Sequence, residues 1–141
     1  MKVKQFRTGY EAKCYLLILK DYYSKKIDNQ FESFETGGIE YGYILDEAAK
    51  EIGNDIDSVN FKDVLDHKVV YSQEQDVFLN SNNDKLKGGT IKFKLTDDTS
   101  ELIDKITTTL SEQWNMRLYR AFSVKLMLKY LYIQKIEKDL L

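Results

Sequence analysis

The chain has no proline and only seven glycines in 141 residues, so long stretches are free of the residues that interrupt helices. A single cysteine, Cys14, excludes an internal disulfide. A single histidine, His67, has no second histidine and no nearby cysteine to complete a zinc site. No apolar run approaches the roughly 20 residues that cross a bilayer. The opening Met-Lys-Val-Lys-Gln-Phe-Arg-Thr lacks the apolar stretch of a signal peptide, so the expected location is cytoplasmic, without membrane contact. Gly-rich phosphate loops and a Ser-His-Asp ordering are also missing; Gly37-Gly38 and Gly88-Gly89 are isolated pairs that read as turns. Cys14 falls at a buried helical position and reads as a small core residue, and Asp63 and Asp66 beside His67 are what a solvated turn carries. The chain is therefore not expected to be an enzyme, nor to need a cofactor or a metal.

What is present is a globular composition, 43% apolar or aromatic and 31% charged, able to bury a real core. Net charge is −2, but it is unevenly spread. Residues 1–26 carry seven Lys and Arg against two Asp and Glu, residues 27–88 five against fourteen, and residues 89–141 nine against seven. Both ends are basic and the middle is acidic.

The most informative stretch is Gly89 to Ile106. From Thr90 to Leu95 the chain alternates strictly, so in a strand Ile91, Phe93 and Leu95 share one face while Thr90, Lys92 and Lys94 share the other. Thr96, Asp97 and Asp98 can then accept hydrogen bonds from the first-turn amides of a helix. Leu102, Ile103, Ile106 and Leu110 continue at helical spacing. After a break at Ser111 to Asn115, a second helix is written, with Ala121, Val124, Leu128 and Leu131 on one stripe and Leu118, Phe122, Leu126 and Ile133 widening it.

Strand, helix, helix in this order, with the last helix the most apolar, resembles the ribbon-helix-helix family of DNA-binding proteins, of the MetJ and Arc type. The resemblance implies paired units whose strands form an antiparallel ribbon that enters the major groove. It implies that Thr90, Lys92 and Lys94 reach base edges and that amides opening the second helix, near Asn115 to Arg117, hold a phosphate. The same alternation also fits an amphipathic edge strand whose lysines only discourage aggregation.

The first fifty residues repeat the order in weaker form. Superposing Thr8 on Thr96 aligns the helices, with Cys14, Tyr15, Ile18 and Tyr22 on Leu102, Ile103, Ile106 and Leu110, but places Gln5 and Arg7 where Phe93 and Leu95 face inward. Either the register differs by one or the two strands are unlike; Lys2, Lys4, Gln5 and Arg7 are candidates with no face assigned. A helix from Tyr10 to Lys26, a polar loop through Thr36-Gly37-Gly38 and a helix from Ile39 to Ile52 stopping at Gly53-Asn54 complete the copy. Chance alignment of two amphipathic segments is the competing explanation.

The expected fold class is α+β, mostly helical: two ribbon-helix-helix-like units, residues 1–53 and 89–141, forming a pseudo-dimer with a short antiparallel ribbon in one compact domain. Residues 54–88 form an acidic connector in which Val59 to Leu65 has helical spacing, while Lys68-Val69-Val70-Tyr71 and Asp76-Val77-Phe78-Leu79 read as strands of a hairpin. Tyr130 and Tyr132 are candidates for contacts in a homo-oligomer.

This layout is similar to the tandem TraY-type accessory proteins of conjugative plasmids. It implies a sequence-specific double-stranded DNA-binding protein, either a plasmid or phage accessory factor at a transfer origin, with a relaxase as partner, or a transcriptional repressor. The rival expectation is an acidic protein–protein interaction module, such as a phage-encoded inhibitor or DNA mimic, that uses Asp55, Asp57, Asp63 and Asp66 against a basic partner.

Overall fold

The computed structural model describes residues 2–30 and 40–138 and is mostly helical with one two-stranded antiparallel sheet. The expected loop through Thr36-Gly37-Gly38 lies outside the described residues.

Strand β1 (Lys2–Thr8) pairs with β2 (Gly89–Leu95), with Gln5 opposite Lys92 at the midpoint. Phe6, Thr8, Phe93 and Leu95 are buried on the inner face, where the Phe6 and Phe93 rings meet at 5.9 Å. Aromatic cross-strand neighbours of this kind pin the register of a short sheet.

The first strand settles its own register differently from the Thr8-on-Thr96 superposition. Thr8 is a buried strand residue whose Oγ1 donates to the Phe6 carbonyl at 3.2 Å. It therefore matches Leu95, and Phe6 matches Phe93. With a shift of one residue, Ala12, Leu16, Leu19 and Tyr23 in α1 (Tyr10–Gln30) fall on the buried Thr99, Ile103, Ile106 and Leu110 in α5 (Asp97–Gln113), while α1 also buries Cys14, Tyr15, Leu17 and Ile18, whose counterparts in α5 are not buried.

Helix α2 (Tyr41–Ile52) buries Ile44, Leu45, Ala48 and Ile52, and ends at Gly53, whose φ of 76° lets its amide bond the Ala49 carbonyl at 3.0 Å. At its start, Gly42 lies so close to β2 that a Cβ would collide with the Lys94 carbonyl. Only glycine permits this approach. Thr96 caps α5 by accepting from the Thr99 amide, and the Thr96 amide in turn donates to Asp46 of α2 at 3.2 Å.

The connector departs from expectation. Helix α3 (Phe61–Asp66), with Asn60 as N-cap, falls where helical spacing predicts it. The hairpin does not form, because Asp76 to Leu79 belong to α4 (Gln73–Ser81) and residues 67–72 are irregular. The reason is local. Ser72 and Gln75 form a reciprocal capping box, the Ser72 hydroxyl accepting from the Gln75 amide at 3.1 Å and the Gln75 side chain accepting from the Ser72 amide at 2.8 Å. Helix α3 packs on the last long helix and α4 on α1.

That last helix, α6 (Arg120–Tyr132), is the centre of the core: Val124, Leu126, Met127, Leu128 and Leu131 are buried against α1, α2 and α5. Full burial of each such side chain contributes about 1.5–3 kcal/mol before chain entropy is counted. Among the described residues, none of its buried side-chain polar atoms lacks a partner. Ser123 and the Thr107 hydroxyl are 2.6 Å apart, and buried Lys129 donates to the Leu65 carbonyl at 3.0 Å. Burial lowers the Lys129 pKa.

The break between α5 and α6 lies later than the spacing suggests. Helix α5 runs on to Gln113, Asn115 takes a left-handed φ of 50°, and the Ser111 hydroxyl captures the Leu118 amide at 3.1 Å, so α6 opens only at Arg120. Trp114 packs edge-on against Phe122 across this turn, at 6.1 Å.

Candidate nucleic-acid interface

Because side chains alternate along both strands, the ribbon has one outward face, and six residues occupy it: Val3, Gln5 and Arg7 from β1, Thr90, Lys92 and Lys94 from β2. All six are exposed. Val3 faces Lys94, Gln5 faces Lys92 and Arg7 faces Thr90. No carboxylate stands among them. Among the described residues Arg7, Lys92 and Lys94 have no ion-pair partner, unlike Lys25 with Asp21 or Lys62 with Asp66.

The structure thus brings Gln5, Arg7, Thr90, Lys92 and Lys94 together. Lys2 and Lys4 fall on the opposite face with Phe6, Lys2 exposed at the strand end and Lys4 half-buried, so they are not part of the outward set. Val3 joins the outward set, a position that the sequence alone leaves without a face.

Asn115 and Arg117 do not open a helix, as the later start of α6 requires. Asn115 belongs to the turn that ends α5. Arg117 nevertheless reaches the ribbon's flank. With Gln5, Arg7, Tyr119 and Arg120 it lines a shallow cleft of about 450 Å³ beside β1. Its guanidinium lies over the Tyr119 ring at 5.6 Å, and the Arg120 Nε donates to Asp104. Arg120 enters the site because α6 starts there and not near Asn115 to Arg117. The surface can therefore offer hydrogen-bond donors to base edges from the ribbon and planar cationic groups to phosphates from the cleft.

Comparison with protein families, curated proteins and solved structures gives no match.

Other groups with chemical potential are engaged in structure. The Cys14 thiol is 1% exposed and burial pushes its pKa up, the opposite of an activated nucleophile. Around it, Tyr15 donates to Glu11 at 2.5 Å and packs on Tyr132 at 5.3 Å, and burial raises both phenols, Tyr132 to about 12. Tyr132 is itself 1% exposed, accepts from Gln75 at 2.9 Å and meets Tyr71 edge-on, so it belongs to the core and cannot form a contact between chains. His67 pairs with Glu137 at 2.6 Å, tying the end of α3 to the turn after α6. In the connector Asp55 caps the turn at Ile56–Ser58 and Asp66 pairs with Lys62. Among the described residues no group of three or more His, Cys, Asp and Glu is placed to hold a metal ion, and no helix is long and apolar enough to cross a membrane.

Proposed function

We propose that the chain is a sequence-specific double-stranded DNA-binding protein that reads the major groove with the β1–β2 ribbon. In this reading the two strand-helix-helix segments, β1-α1-α2 and β2-α5-α6, are ribbon-helix-helix units fused into a pseudo-dimer. The observation that carries it is the outer ribbon face, whose six exposed residues include no carboxylate and three cations that have no ion-pair partner among the described residues, in a chain of net charge −2.

A two-stranded ribbon fits the major groove, about 12 Å wide. Arg7, Lys92 and Lys94 would donate to guanine O6 and N7, Gln5 would pair with adenine, and Val3 or Thr90 would meet a thymine methyl. Because the two strands differ at every outward position, the duplex site is non-palindromic. A transfer-origin accessory factor or a transcriptional repressor are the roles that suit such a protein. The acidic-module alternative is less well supported, since Asp55 and Asp66 are already used within the connector.

The test is binding of the wild type and of an Arg7→Ala, Lys92→Ala, Lys94→Ala triple variant to a duplex that the wild type selects from a random pool, each with its melting temperature. The reading requires loss of binding with the melting temperature kept. Equal binding by the triple variant would sink it.

A further inference from the structure

The two ends of the ribbon are equipped differently. Where Arg7 faces Thr90, the start of α6 lies alongside β1, and Arg7, Arg117 and Arg120 line one cleft with Gln5 and Tyr119. Where Lys94 faces Val3, the start of α2 lies against β2, with Gly42 on the Lys94 backbone. Matching the helix starts puts Tyr41 in the place of Arg120 and Glu40 in the place of Tyr119. Glu40 is exposed and its side chain makes no capping bond. The nearby Lys20 lies over the Tyr41 ring at 5.2 Å.

Resting on the ribbon reading, we infer that, among the described residues, the protein grips the sugar–phosphate backbone on one side of the ribbon only, through Arg117 and Arg120 of the cleft beside Arg7, and so sits on its duplex in one orientation. The guanidinium groups of Arg117 and Arg120, the latter shared with Asp104, present planar forks that match phosphate oxygens. At the other end the Glu40 carboxylate repels a phosphate that would otherwise be drawn to the start of a helix. The grip at the Arg end supplies affinity and fixes orientation, while the ribbon supplies sequence preference.

The experiment uses the full chain on a duplex it selects from a random pool. Phosphate ethylation that blocks binding should cluster on one flank of the site. Arg117→Ala with Arg120→Ala should lower the slope of log affinity against log salt by about two, since each phosphate contact contributes about 0.9. Arg117→Ala alone, which leaves the Arg120 pair with Asp104 intact, should lower it by about one. Glu40→Arg should raise it by about one and bring in blocked phosphates on the second flank. Interference on both flanks with the wild type, or an unchanged slope in both arginine variants, overturns the one-sided grip while leaving the ribbon reading in place. Failure of the wild type to bind any duplex overturns the ribbon reading itself, and this inference with it.

Discussion

Gln5 stands directly opposite Lys92 at the midpoint of the ribbon, where a symmetric dimer would place two copies of one side chain. Opposed side chains on one face of an antiparallel pair lie roughly 4.5–5.5 Å apart at Cβ, close enough to address neighbouring base pairs. An amide prefers adenine and an ammonium guanine. Gln5→Ala and Lys92→Ala should therefore relax base preference at different central positions, each by about 1–3 kcal/mol of discrimination. Comparing selected sites for the two variants checks this; an unchanged site in both variants would show that neither reads a base.

Lys92→Ala with Lys94→Ala should abolish specific binding while moving the melting temperature by less than about 3 °C, because both side chains are solvated. Phe93→Ala, one position between them but on the buried face, should cost about 3–5 kcal/mol. Thermal melts beside binding isotherms separate the two faces of one strand.

Gly42→Ala should destabilise the fold by about 1–3 kcal/mol, since its Cβ meets a backbone carbonyl that cannot swing away. Denaturant titration measures the loss. Wild-type stability in this variant would mean that α2 does not press on β2.

Alkali should weaken the fold from about pH 10. Buried Tyr132 holds its proton to about pH 12 and Tyr15 is raised in the same direction, whereas in the unfolded chain both ionise near 10. The unfolded state thus binds fewer protons above pH 10, and stability falls as pH rises, by up to about 1.4 kcal/mol per unit for each such phenol. Tyr132→Phe should flatten the decline between pH 10 and 11.5 in thermal melts. An unaltered slope would place the titration elsewhere.

Ser72→Ala removes half of the capping box and should cost about 0.5–2 kcal/mol. Faster amide exchange is expected in α4, with the ribbon amides unchanged.

The strand at Gly89 and the helix after it were legible because alternation and a Thr96 cap agree over one short stretch. Thr8 misled by resembling such a cap; its burial inside β1 depends on Phe6 meeting Phe93, a contact nearly 90 residues away in the chain. Without that contact Gln5 and Arg7 could not be assigned to a face, nor Val3 noticed. Val69-Val70-Tyr71 and Val77-Phe78-Leu79 favour strands by composition, yet the Ser72 and Gln75 box decides for a helix. The start of α6, and with it Arg120, was hidden because Asn115, the Ser111 hydroxyl and the Trp114 packing lengthen the turn.

The most direct measurement is selection of the full chain against a pool of random duplexes at several salt concentrations, with the retained DNA sequenced. Enrichment of one short, non-palindromic site, with affinity falling steeply as salt rises, is the expected result. Absence of retained duplex even at low salt would contradict the ribbon reading outright.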